Sequence, residues 1–119
     1  MRQAERRRFH RLRIGCKITV HSGKHDMVLT SCTENIAEGG IRVYLKNNLD
    51  IGTITELELF LSEARPLHCK GRVIWSMALQ SGDPEHRFFD IGIEFLDLTH
   101  ADKEAINKLL DNLLVRAKK

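Results

Sequence analysis

With 119 residues, 42% of them hydrophobic and 29% charged, and a net charge of +3, the chain has the size and composition of one globular domain. A domain of this size buries roughly two-thirds of its unfolded surface, so neither a disulfide nor a metal is needed for folding. No apolar stretch approaches the roughly 18 residues of a membrane span and none follows the basic N-terminus, which excludes a membrane helix and a signal peptide and reads as cytoplasmic.

The charge is unevenly placed. Residues 1 to 13 hold Arg2, Arg6, Arg7, Arg8, Arg11 and Arg13 against Glu5, a local +5 that leaves −2 for the rest of the chain. Every cation in this stretch is arginine, whose planar fork suits phosphate and guanine better than the point charge of lysine. Residues 1 to 11, rich in charge and poor in apolar groups, are expected to form a flexible arm.

From residue 12 to residue 97 the sequence alternates with period two. Leu12, Ile14, Cys16, Ile18 and Val20 form one phase, and a less clearly phased run follows from Met27 to Glu34. Ile41, Val43 and Leu45 come next, then Leu57, Leu59 and Leu61 against Glu56 and Glu58. Leu67, Cys69, Val73 and Trp75 share a phase through Gly71, and Phe89, Ile91, Ile93 and Phe95 close the series opposite Asp90, Gly92 and Glu94. Each run predicts a strand with one buried and one wet face. Turn-rich segments at 22–26, 47–52, 62–66 and 81–86 separate them, so the expected fold is a six-stranded antiparallel β-barrel, closed to leave few free edges.

The period then changes. Thr99 is placed to cap a helix, with Asp102 as the third residue of a shortened capping box. Ile106, Leu109, Leu110, Leu113 and Leu114 follow at helical spacing, a stripe expected to pack on the barrel mouth, with a helix-mediated dimer as its other use. Residues 12 to 119 are thus read as a single domain, all-β with one C-terminal α-helix.

Cys16, Cys32 and Cys69 form no CxxC pair, and only His21 and His25 have a ligand-like spacing. They read as buried thiols and surface histidines, and no metal site is expected. No nucleophile stands at motif spacing from a base, and there is no P-loop or dinucleotide fingerprint, so no enzyme is expected.

Two segments stand out. Arg6-Arg7-Arg8-Phe9-His10-Arg11 places arginines four residues apart, able to close on one anion, though alone it also reads as a solvated or nonspecifically nucleic-acid-binding arm. Asn35-Ile36-Ala37-Glu38-Gly39-Gly40 offers a turn-tolerant amide and two glycines that permit positive φ and expose backbone N–H groups. Alone it also reads as a strand connection with a glycine bulge.

Together the two segments resemble the PilZ domain family. Arg7 to Arg11 matches its RxxxR motif, and Asn35 to Gly40 matches its [D/N]xSxxG motif except that Ala37 stands where the family has serine. Gly39-Gly40-Ile41-Arg42-Val43, Gly71-Arg72-Val73-Ile74-Trp75 and the segment Gly92 to Leu98 extend the resemblance over nearly the whole chain. It implies a cyclic di-GMP receptor with no other cofactor. Arg7 and Arg11 would meet phosphates and guanine faces, and Asn35, Ala37 and the backbone around Gly40 would line the site. Arg6, in the family, accompanies two intercalated ligand molecules. The missing Ala37 hydroxyl is expected to weaken the site by roughly 0.5–1.5 kcal/mol. Such a domain is expected to signal through an effector protein as its arm orders over the ligand. The alternatives are a PilZ-like interaction domain that has lost nucleotide binding, and a small barrel that holds RNA or DNA with its basic arm.

Overall fold

The computed structural model describes residues 14–22, 25–33, 35–61, 66–79, 85 and 87–117, and side chains as far as Asp111. Strands β1 (Ile14–Ser22), β2 (His25–Thr33), β3 (Asn35–Ile36), β4 (Gly40–Leu45), β5 (Ile54–Phe60), β6 (Leu67–Ala78) and β7 (Phe89–Phe95) precede one helix, α1 (His100–Ala117). They form a single antiparallel sheet in the order β2-β1-β5-β6-β7-β4-β3. The arm, with Leu12 and Arg13 of the expected first strand, lies outside the described residues, as do the side chains of Leu113 and Leu114.

The alternating residues face inward in register. Ile18 is opposite Leu57, which is opposite Cys69, and Val43 is opposite Ile91. All five are buried, and with Ile14, Leu59, Val73 and Ile93 they form one core. The sheet curls until β2 and β4 meet, but among the described residues no backbone ladder closes it. Side-chain hydroxyls bridge the seam instead: Thr33 Oγ1 donates to the Arg42 carbonyl at 2.6 Å and Ser31 Oγ to the Tyr44 carbonyl at 3.4 Å. This seam explains the weak phase of β2, an edge strand that alternates between exposed and only partly buried side chains, Met27 and Leu29 among the latter, until Thr33 is buried. The strand count is seven because Asn35–Ile36 pairs with Arg42 and Ile41.

The expected cap is present. The Thr99 hydroxyl accepts from Asp102 N at 3.1 Å, and an Asp102 carboxylate oxygen accepts from Thr99 N at 3.3 Å. The helix so started buries Ile106 completely in the core and packs Leu109 and Leu110 against it. The His21 ring lies between the carboxylates of Asp26 and Glu56, tying β1 to β2 and β5. Its hydrogen bond to Glu56, then that to Asp26, raises its pKa above the ordinary histidine value. No group of three metal-binding side chains forms around it or elsewhere among the described residues.

One core position is mismatched. Thr55, fully buried opposite Val20 and Gly71, has a hydroxyl with no hydrogen-bond partner among the described residues. An unpaired buried hydroxyl costs roughly 1–3 kcal/mol, and valine keeps the shape without it. Thr55→Val is therefore expected to stabilise the fold by about 1 kcal/mol, a rise of roughly 4 °C in thermal midpoint. Urea or thermal unfolding of the two proteins checks this, and a loss of stability would mean that the hydroxyl has a partner.

Candidate functional site

The segment from Asn35 to Gly40 folds as a tight hairpin. Ala37 N donates to the Gly40 carbonyl at 2.9 Å, leaving Glu38 and Gly39 at the tip, and the Gly39 carbonyl accepts from Phe95 N at 2.9 Å. The buried Thr33 hydroxyl accepts from Asn35 N at 2.9 Å while donating to Arg42, which fixes where the hairpin leaves β2. The Asn35 side-chain amide makes no hydrogen bond among the described residues.

The two glycines work differently from the sequence expectation. Neither takes a positive φ; among the described glycines Gly52 alone does, in the turn at 47–52. Gly40 is required for closeness instead. It lies opposite Glu94, and a Cβ there would run into the Ile93 carbonyl oxygen and the Glu94 Cα. Gly39 has open space around it.

Asn35, Ala37, Gly39 and Gly40 form one wall of a surface cleft of about 330 Å³. Arg42, Ile74, Trp75 and Glu94 also line it. The volume is near the lower end of the roughly 300–1,000 Å³ of small-molecule sites. The predicted Asn35, Ala37 and Gly40 are thus brought together, while Arg6, Arg7 and Arg11 lie outside the described residues. The entry point of their segment is nonetheless visible. Ile14, three residues after Arg11, is paired with Thr33, two residues before Asn35.

Sequence reasoning missed Trp75 and Arg42 as cleft residues. The alternation of β6 assigns Trp75 to the buried face, but the register shifts between Val73 and Trp75, and this bulge turns the indole outward over Gly92. A side chain at Gly92 would strike the ring, so the glycine in the facing strand was the available signal. Trp75 Nε1 donates to Asp90 Oδ1 at 3.3 Å, and Arg42 grips the same carboxylate through Nε at 3.0 Å and Nη2 at 2.6 Å. Asp90, assigned to the wet face by alternation, is only 5% exposed beneath these two side chains.

The Arg42 hydrogen bonds hold the Asp90 carboxyl below the usual carboxylate range, against the upward push of its burial. A carboxyl whose folded pKa is depressed stabilises the fold above its unfolded pKa of about 3.9 and loses that contribution as pH falls below it. Asp90→Asn is expected to cost about 1.5–3 kcal/mol near neutral pH, the size of a charge-assisted hydrogen bond. The difference from the parent should shrink as pH falls below about 4. Unfolding free energies across that range check the sign; a constant difference would remove the ion pair from the account.

Chemically, the cleft offers the Asn35 amide, a guanidinium oriented by Asp90, the Glu94 carboxylate and the ring of Trp75, a residue 38% exposed. An aromatic ring, a guanidinium and an amide suit a flat, polar molecule.

The family model of the PilZ domain matches residues 5–112. Among solved structures, MrkH of K. pneumonia superposes with a TM-score of 0.73 at 19% identity over 92% of this chain and 48% of its own. The MrkH–c-di-GMP complex gives 0.70 at 18% identity over 88% and 48%. The PilZ domain of YcgR from Escherichia coli, solved with c-di-GMP, gives 0.66 at 13% identity over 89% and 85%. At such identities the likeness is one of fold, and the chain spans about half the length of MrkH. No curated protein sequence matches it.

Proposed function

The chain belongs to the PilZ domain family, and from that premise we propose that it is a bacterial, cytoplasmic receptor domain for cyclic di-GMP that passes the signal to an effector protein. The observation that carries this reading is the pairing of the strand that follows the first motif with the strand that leads into the second. Ile14, three residues after Arg11, pairs with Thr33, two residues before Asn35 of the cleft, and this supports placing Arg11 at the cleft in the present reading.

In this reading Arg7 and Arg11 take the phosphates and stack on guanine, and Asn35 meets a guanine edge. Arg6 stacks on a second guanine, so that two intercalated molecules bind. Trp75 and Arg42 supply the opposite wall. Residues 1 to 11 close over the ligand, and the surface thus changed is what the effector reads.

Calorimetric titration tests the proposal. Cyclic di-GMP is expected to bind at micromolar affinity or tighter, about −8 kcal/mol, with two molecules per chain, and GMP, cyclic AMP and short single-stranded RNA far more weakly. No heat at roughly 100 µM would establish the second reading, a PilZ interaction domain without nucleotide, which Ala37 in the serine position favours. Equal binding of RNA would favour the basic-arm reading.

The same titration measures the missing hydroxyl. Ala37 is exposed on the cleft wall, and Ala37→Ser is expected to gain up to roughly 1 kcal/mol, about a fivefold rise in affinity. Weaker binding would show that the wall is shaped around the alanine.

A further inference from the structure

The cleft is one end of a larger outward-facing lattice on β6, β7 and β4. The row Trp75–Gly92–Arg42 borders the cleft, and the next row is Met77–Asp90–Tyr44. One row further, Leu79 N donates to the Phe88 carbonyl at 2.9 Å and the Lys46 ammonium lies 5.9 Å from the Phe88 ring centre. The outer face of an antiparallel strand ordinarily carries polar residues. Here Met77 is 60% exposed and Tyr44 48%, and Leu79 and Phe88 are also exposed beside them. Adjoining exposed apolar residues of this kind mark interaction sites.

Two exposed cations lie at the Phe88 end of this face, away from the Glu94 carboxylate at the cleft. Lys46 is exposed beside Phe88, and Arg87 is exposed immediately before it. The carboxylate at the centre, Asp90, is buried and taken up by Arg42 and Trp75.

We propose that this face docks a segment of a partner protein that lays Leu- or Phe-type side chains among Met77, Leu79 and Phe88 and places carboxylates on Lys46 and Arg87. Charge complementarity selects this occupant. A second copy related by a two-fold axis would bring the same cationic rim against itself. Two cations are also fewer than the roughly four to eight basic residues by which a surface reads anionic lipid. The proposal holds whatever occupies the neighbouring cleft.

Selection of random phage-displayed peptides on the full chain tests it, followed by anisotropy titration of the synthesised winners. The winners are expected to combine Leu or Phe with Asp or Glu, and to lose about tenfold in affinity when their acids are changed to Lys. The double variant Met77→Ser with Phe88→Ser should bind them at least about tenfold more weakly at an unchanged thermal midpoint, because exposed substitutions leave stability within about 0.5 kcal/mol. Lys46→Glu, also surface-confined, should weaken the acidic peptides and favour their Lys counterparts. Winners without acidic residues, or binding untouched by these variants, would overturn the proposal. So would concentration-dependent dimerisation in sedimentation that Phe88→Ser abolishes, or phosphatidylserine vesicles that compete with the peptides.

Discussion

Arg7→Ala and Arg11→Ala are each expected to weaken cyclic di-GMP binding about ten- to hundredfold, the equivalent of roughly 1.5–3 kcal/mol, while leaving the thermal midpoint unchanged. The size follows from the contact. A guanidinium donating to a phosphate oxygen is a charge-assisted hydrogen bond, and a dianion with two guanines gives each arginine both an anion and a flat ring. Lysine keeps the charge but loses the fork and the stacking, so Arg7→Lys should recover only part of the loss. Stability should not follow affinity, because in the proposed arm, outside the core, such substitutions stay within about 0.5 kcal/mol. Titration beside thermal unfolding separates the two quantities. Variants that bind as the parent does would place the ligand elsewhere, even if cyclic di-GMP is the right molecule.

How much of this was legible in the sequence depends on how local each cause is. Leu57 and Leu59 against Glu56 and Glu58 are readable because β5 lies between two partners and buries one face; its alternation is the direct image of that burial. The cap is readable for the same reason, since Thr99 and Asp102 bond to each other's backbone within one turn. Asn35, Ala37 and Gly40 come together because a tight hairpin connects them. The seventh strand is invisible because two residues carry no period. The Arg42–Asp90 pair spans 48 positions and depends on a register that no local pattern states. Trp75 was misassigned because a bulge is a backbone event that reverses every side chain after it, and nothing in Val73-Ile74-Trp75 announces one. The roles of Arg6, Arg7 and Arg11 came from family resemblance alone.

Adjacent glycines of the same motif should respond unequally to the same substitution. Gly40→Ala is expected to destabilise the fold by about 1–3 kcal/mol, because the new methyl meets the Ile93 carbonyl and the Glu94 Cα. Those are backbone atoms, which cannot rotate aside as a side chain would. Relief requires β4 to move away from β7, which strains the pairing of Ile41 with Ile93 and of Val43 with Ile91, all four buried in the core. The same movement opens the cleft wall, so affinity should fall with stability. Gly39→Ala meets nothing within 4 Å and needs no positive φ, so its stability should stay within about 0.5 kcal/mol of the parent. Unfolding midpoints of the two variants decide whether the second motif glycine serves the sheet or only the ligand. A Gly40→Ala protein that unfolds like the parent and fails solely in titration would mean that the glycine is there for the ligand's approach, and that the closeness of β4 to β7 constrains nothing. An equal loss from Gly39→Ala would move the constraint from the strand pair to the turn.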